Sequence, residues 1–271
     1  MFADLEKINE TFESYARSFD LSIPMINMKY RHSYDVMRCG EELTEVLAWN
    51  ADSKNVGIAA CLLHDIGRFS QYRDFGTYYD GASVDHGDRG YEALLPESRR
   101  CVEAADGEAW EAILQAVKWH NKKNLPELPH EIMPFCRLAR DADKLSVLDL
   151  VQRRMDEGTI GELLPRHKID APLSGPLLDE VEKNWSGSYK NASSLQDFLL
   201  VQLTWVLDIN FAPSLRILEE SGIISRICGC FPKDDERVQS ILNGLLDRIE
   251  AHKQEARTRF TAVDCKSVSV R

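Results

Sequence analysis

The residues of this chain with the clearest capacity for chemistry are histidines and aspartates that interrupt apolar helical patterns. The stretch CLLHDIGRF, residues 61–69, runs an apolar sequence directly into His64 and Asp65. His32 lies on the apolar face of one predicted helix, and His120 continues the apolar face of another. Metal sites inside helical proteins are built from imidazoles and carboxylates that point inward from separate helices. A buried dication would also offset the cost of burying the Asp65 carboxylate.

The order of these residues resembles the HD-domain metal-dependent phosphohydrolase superfamily. His32 comes first, HDIGR follows at 64–68, and ARDADKLS at 139–146 supplies Asp143. The resemblance covers roughly residues 25–155. It implies that one divalent ion is held by four residues, His32, His64, Asp65 and Asp143.

Two further histidines lie where the two-metal branch of this superfamily has histidines, His86 in SVDHGDRG and His120 in AVKWHN. By that resemblance they bind a second ion, and Asp65 bridges the two ions. The alternative is a single ion, with both histidines in contact with a substrate phosphate. Imidazole and carboxylate ligands suit first-row transition metals, so the expected cofactor is two divalent ions of iron, manganese, cobalt, nickel or zinc.

Asp141 and Asp143 compete for one ligand position. Two residues in a helix differ by about 200° of rotation, so both carboxylates cannot face the same ion. Apolar periodicity leaves the choice open, and the family motif selects Asp143. Asp141 is expected to support the ligands from behind or to lie in solvent.

The resemblance implies metal-dependent hydrolysis of a phosphate ester, a monoester or diester of a nucleotide or another small phosphorylated substrate. A metal-bound hydroxide would attack phosphorus, because two neighbouring ions lower the pKa of a shared water. Asp65 and Arg68 are the expected catalytic residues. Arg68 stands where relatives carry a basic residue, and Arg89 follows His86 by one turn, so both are expected to bind the phosphate.

Other members of the superfamily leave alternatives. HD-GYP phosphodiesterases carry two adjacent histidines, whereas Asn121 follows His120 here, which argues against a cyclic dinucleotide substrate. Di-iron oxygenases that resemble myo-inositol oxygenase share the ligand order, and ligands alone do not separate oxygenase from hydrolase chemistry. A third possibility is a regulatory binding module in which the metal only stiffens the fold.

Helical periodicity must position these residues, since no convincing strand pattern occurs and the predicted class is all-α. We predict an HD-type helical core over residues 1–156, with a connecting segment and C-terminal helices at 157–271 packed on it. Helices are expected at about 26–50, 53–67, 86–95, 108–120, 131–156 and 193–220, and a loop at 70–85.

Charge and composition bound the partners. The formal net charge is −11, which argues against nucleic-acid polymers and anionic membranes as partners. No signal peptide or apolar run long enough to cross a membrane is evident, so a cytoplasmic location is the default. The seven cysteines are scattered and odd in number, so disulfides are not predicted. Composition leaves the oligomeric state open.

Overall fold

A computed structural model describes residues 1–95, 103–163 and 171–263, and their regular secondary structure is helical. Within these ranges no β-strand forms, and Ala3 and Ala105 make a single antiparallel bridge. The all-α prediction is confirmed. The α-helices are α1 (Leu5–Ala16), α2 (Pro24–Val46), α3 (Ala51–Leu63), α4 (Gly67–Phe75), α5 (His86–Leu94), α6 (Gly107–Trp119), α7 (Met133–Asp156), α8 (Gly175–Asn184), α9 (Leu195–Thr204), α10 (Ala212–Ser221), α11 (Ile223–Cys228) and α12 (Glu236–Val263).

Short polar side chains start several of these helices. Each such helix is preceded by a residue whose side chain accepts a hydrogen bond from the backbone N–H three residues later. Among these residues are Asp4, Asn50, Asp85 and Asp106. This pairing satisfies one of the N–H groups that a helix leaves unbonded at its start. The helices that carry the candidate site residues His64, His86 and His120 therefore begin at defined positions.

The chain divides into two compact units, Met1–Ser146 and Val147–Arg271, and the division falls inside α7. In the first unit α3 is the central helix, because it packs on α1, α2 and α6 and every residue from Val56 to Leu63 is buried. Helix α5 packs on both α4 and α6. This arrangement places the C-terminal end of α3 among the helices that carry the other candidate site residues.

The second unit is built from the later helices. Helix α9 begins with a capping box, in which Ser194 and Asp197 each bond the backbone N–H of the other. Helix α12 packs on α8 and α10. The predicted packing of residues 157–271 on the core stays a prediction.

Three predicted boundaries were wrong. The third helix ends at Leu63 rather than near Gly67, because the chain turns at residues 64–66 before α4 begins. The first part of the predicted loop at 70–85 is helical up to Phe75, and Gly76 then ends α4 with a φ of 64°. The single helix expected at 193–220 is two helices, α9 and α10. A 3-10 turn separates them, and Pro213 lies in the first turn of α10.

The sequence predicts no disulfides. The five cysteines that the structure describes are free thiols, at positions 39, 61, 136, 228 and 230. Cys101 and Cys265 lie outside the described residues. In the part of the chain that the structure describes, no helix combines the length and the apolar character that a membrane span requires.

Candidate metal centre

The His64–Asp65 pair lies in a tight turn at the buried end of α3. His64 caps that helix, and two backbone hydrogen bonds hold the turn, from Ile66 N–H to the Leu63 carbonyl and from Arg68 N–H to the Asp65 carbonyl. His64 is fully buried and Asp65 is 2% exposed. The apolar helix therefore delivers an imidazole and a carboxylate into the interior of the first unit.

Gly67 allows the start of α4 to approach α5 very closely. A Cβ atom at this position would lie 2.3 Å from the His86 carbonyl oxygen and 2.5 Å from the Gly90 backbone nitrogen. Real Cβ atoms do not come this close to backbone, so only glycine fits. The close approach brings the turn that carries Asp65 next to the first residue of α5, His86.

One oxygen of Asp65 faces a group that we call the first half-site, made of His32, His64 and Asp143. Asp65 Oδ2 lies 3.7 Å from His32 Nε2 and 3.5 Å from His64 Nε2. Asp143 Oδ1 lies 3.0 Å from His32 Nε2 and 3.7 Å from His64 Nε2. Side chains from α2, the α3–α4 turn and α7 thus meet within the first unit.

The other oxygen of Asp65 faces a group that we call the second half-site, made of His86 and His120. Asp65 Oδ1 lies 3.5 Å from Nε2 of each of these rings. The two Nε2 atoms are 3.0 Å apart. Asp65 therefore offers one carboxylate oxygen to each half-site, and the structure brings together all six residues that the sequence analysis selected.

Hydrogen bonds at Nδ1 turn three of the rings so that Nε2 points to the centre. His64 Nδ1 lies 2.7 Å from the Cys61 carbonyl oxygen, and His120 Nδ1 lies 2.8 Å from the Val117 carbonyl oxygen. His86 Nδ1 lies 2.6 Å from Asp80 Oδ2. Because carbonyl oxygens only accept hydrogen bonds, the His64 and His120 rings carry a proton on Nδ1. Histidines that bind metals are oriented in the same way.

The donor set fits metal ions. If Nδ1 carries the proton in His86 as it does in His120, two nitrogen lone pairs face each other at 3.0 Å, an arrangement that a shared cation stabilises. The Nε2 atom of His64 is buried without a hydrogen-bond partner. His32, His64 and Asp143 form one group able to hold an ion, and His64, Asp65 and His120 form another. Imidazoles mixed with carboxylates favour first-row transition metals over magnesium.

Burial and charge set opposite protonation states for two of the rings. Burial, together with the nearby Arg68 guanidinium, lowers the pKa of His86 to about 3, so this ring is neutral near pH 7. Burial alone would also lower the pKa of His64, but the carboxylates of Asp65 and Asp143 raise it to about 9. In spite of burial, Lys29 and His64 hold the pKa of Asp65 well below its usual value.

Two cationic side chains flank Asp65, and sequence analysis selected only one of them. Arg68 Nε lies 3.4 Å from Asp65 Oδ1, and this guanidinium also bonds the Tyr78 carbonyl and Asp80. Lys29 Nζ lies 2.6 Å from Asp65 Oδ2. Lys29 precedes His32 by three residues, and residues at this spacing share one face of a helix. The spacing could therefore have identified Lys29 from the sequence.

Arg89 and Asp141 have other surroundings. The Arg89 guanidinium bonds the Ser70 hydroxyl at 2.9 Å and Asp74 at 2.5 Å, and its phosphate-binding role stays a prediction. Asp141 is completely buried, which excludes the solvated alternative, and its support of the ligands from behind stays a prediction. It belongs to neither of the two potential metal-binding groups among the described residues.

Comparison with family models identifies one domain within the chain. Residues 30–148 match the family model of the HD domain. This segment contains Asp65 and the five residues of the two half-sites and is an HD domain, so the resemblance to the HD-domain superfamily is confirmed. No curated protein and no solved structure matches the chain significantly. HD domains bind divalent metals, and the residues gathered here fit such ions.

Proposed function

We propose that this protein hydrolyses the phosphate ester of a small substrate and uses two divalent first-row metal ions. His32, His64 and Asp143 would hold the first ion, His86 and His120 the second, and Asp65 would bridge them. When bound, such ions supply a water of lowered pKa and polarise the phosphate oxygens. The observation that supports the proposal is the position of Asp65, whose two oxygens face separate groups of imidazoles.

The cations beside Asp65 suit a phosphate substrate. Arg68 lies next to Oδ1 of this carboxylate, and Lys29 lies next to Oδ2. Both cations lie within 6 Å of the centre of the Tyr78 ring. An anionic substrate that enters between them would gain charge-assisted hydrogen bonds. Arg68 would neutralise charge that develops on the phosphate, and its bonds to Tyr78 and Asp80 hold it in place for this role.

The net charge limits the size of such a substrate. At −11 the chain as a whole repels nucleic-acid polymers, so a phosphate must be attracted locally, by the ions and these two side chains. We therefore propose a small phosphorylated molecule as the substrate.

The test is a substrate panel for the wild-type protein loaded with Mn²⁺, Fe²⁺, Co²⁺, Ni²⁺ or Zn²⁺. Phosphate release from phosphomonoesters and product formation from phosphodiesters are measured together with O₂ consumption. Hydrolysis that is lost in Asp65→Ala would support the proposal. O₂ consumption without hydrolysis would favour the oxygenase alternative, and metal binding without either activity would favour a binding module.

A further inference from the structure

Asp80 connects the second half-site to the cation beside it. This residue begins the 3-10 helix Asp80–Ala82, between α4 and α5. Its Oδ2 atom accepts a hydrogen bond from His86 Nδ1 at 2.6 Å. Its Oδ1 atom accepts from the Arg68 guanidinium at 3.0 Å and from the Gln71 amide at 2.8 Å. One carboxylate thus binds a ring of the second half-site and an expected substrate-binding arginine.

His86 depends on this contact in a way that His64 and His120 do not. Those two rings lie at the C-terminal ends of helices and bond the carbonyl three residues earlier, within their own helix. His86 is the first residue of α5, so no preceding turn of that helix offers it a carbonyl. Its acceptor at Nδ1 comes instead from Asp80, six residues earlier.

Asn121 presents the competing contact. Its Nδ2 atom lies 3.2 Å from His86 Nδ1 and 3.0 Å from Asp85 Oδ1. A proton on His86 Nε2 would let Nδ1 accept from this amide, and Nε2–H could then donate to His120 Nε2 at 3.0 Å. The contact with Asp80 is shorter and involves a charged acceptor, which favours the proton on Nδ1.

We propose that Asp80 is a positioning residue that fixes the Nδ1–H tautomer of His86 and so sets the metal affinity of the second half-site. This inference deepens the proposed function and rests on its second ion. The physical reason is that only the Nδ1–H form presents a free Nε2 lone pair to a cation. The same Asp80 carboxylate also accepts a hydrogen bond from Arg68, the expected phosphate-binding residue. It therefore connects Arg68 to the second half-site.

The first test reads the tautomer directly and needs neither metal nor activity. Long-range ¹H–¹⁵N spectra of the metal-free protein at pH 7.5 assign the protonated nitrogen of His86. We expect Nδ1–H in the wild type and a shift towards Nε2–H in Asp80→Ala, because the acceptor is gone and His120 Nε2 remains available. An unchanged tautomer in Asp80→Ala would overturn the proposal.

The second test measures metal affinity by calorimetric titration with Mn²⁺. In Asp80→Ala and Asp80→Asn we expect the affinity for the second ion to fall about 10- to 100-fold, the usual effect of removing the partner of a ligating histidine, with the first ion unaffected. Asp88→Asn is the matched control, because it also removes a carboxylate from this region but pairs with Lys122 instead of His86. It should bind both ions as the wild type does.

Three outcomes are informative. Unchanged affinity for the second ion, or an equal loss for both ions, would overturn the role of Asp80. A wild-type protein that binds one ion would overturn the two-ion proposal itself, and the tautomer measurement would still decide whether Asp80 orients His86. Circular dichroism of both Asp80 variants separates misfolding from these effects.

Discussion

The Asp65 carboxylate and the His64 ring make the site a place where protons and metal ions compete. The pKa of His64 is raised to about 9 because Asp65 and Asp143 lie beside its Nε2 atom and outweigh the effect of burial. In the metal-free protein this ring is therefore protonated near pH 7. An ion that binds at the first half-site must displace that proton.

The competition predicts the pH dependence of metal binding. Affinity for the first ion should rise about tenfold per pH unit between pH 7 and pH 9 and level off above the pKa of His64. Calorimetry at pH 7.5 in buffers of different ionisation enthalpy should detect about one proton released per first ion bound. Binding that releases no proton at this pH, with an affinity independent of pH, would contradict the assignment of His64.

The same pKa shift predicts how the stability of the metal-free protein depends on pH. The folded-state pKa of His64 lies above its ordinary value of 6.5, so the stabilisation from this group is fully present below pH 6.5. It is lost as the pH rises through about 9. Urea unfolding of metal-free protein at a series of pH values checks this trend. A His64→Gln variant that showed the same loss of stability would contradict it.

A side chain from α7 holds the C-terminal end of helix α6. The buried guanidinium of Arg140 donates hydrogen bonds to the carbonyl oxygens of Trp119 and His120, both at 3.1 Å, and to that of Lys122. These bonds supply carbonyls at the helix C-terminus with donors and place a positive charge at the negative end of the helix dipole. Arg140 thereby connects the helix that ends at His120 with the helix that carries Asp143.

Replacement of this guanidinium should loosen the second half-site more than the first. In Arg140→Gln we expect the free energy of unfolding to fall by about 1.5–3 kcal/mol, as for loss of hydrogen bonds from a buried charged group. Affinity for the second ion should fall as well, since His120 loses its fixed position. Arg137→Gln, on an exposed position of α7, is the control. Equal unfolding free energies for the two variants would refute this role of Arg140.

The contact between α4 and α5 provides a second test of helix placement. Gly67→Ala would push a methyl group into the His86 carbonyl and the Gly90 backbone, so the helices must separate. We expect the free energy of unfolding to fall by about 1–3 kcal/mol, as for overpacking of a core. Binding of the second ion should weaken as well. Gly107→Ala is the control, because a Cβ there has no atom within 4 Å. Chemical denaturation of both variants would show the difference, and similar stabilities would contradict the close-packing argument.

These helices also show what the sequence could predict. His32, His64 and His120 interrupt apolar helical patterns, so their burial follows from periodicity, and the family motif supplied Asp65, His86 and Asp143. Asp80 had no such signal, because it lies in a segment without periodicity. Its pairing with His86 and Arg68 depends on where that segment turns back, which only the structure provides.

All six residues of the candidate centre belong to the first compact unit, Met1–Ser146. Several buried or nearly buried charges meet there, and bound cations would compensate the carboxylates. Ions that bind only the folded protein must stabilise it. Metal at about 100 times its dissociation constant should add about 2.7 kcal/mol, which corresponds to a rise of about 5–10 °C in melting temperature.

Thermal scans with and without a chelator measure this effect. The wild type should melt at a lower temperature after chelation, and Asp65→Ala should melt at the same temperature in both conditions. A wild-type melting temperature that does not respond to metal would contradict the presence of a buried centre.

If Asp65 holds two ions together, the metal content of the protein depends on this one carboxylate. Wild-type protein and Asp65→Ala are loaded with the same excess of Mn²⁺, separated from free metal, and analysed by plasma mass spectrometry. We expect about two ions per wild-type chain and almost none in the variant, while His120→Ala should retain the first ion. Equal metal content in the wild type and Asp65→Ala would show that Asp65 does not bridge two ions.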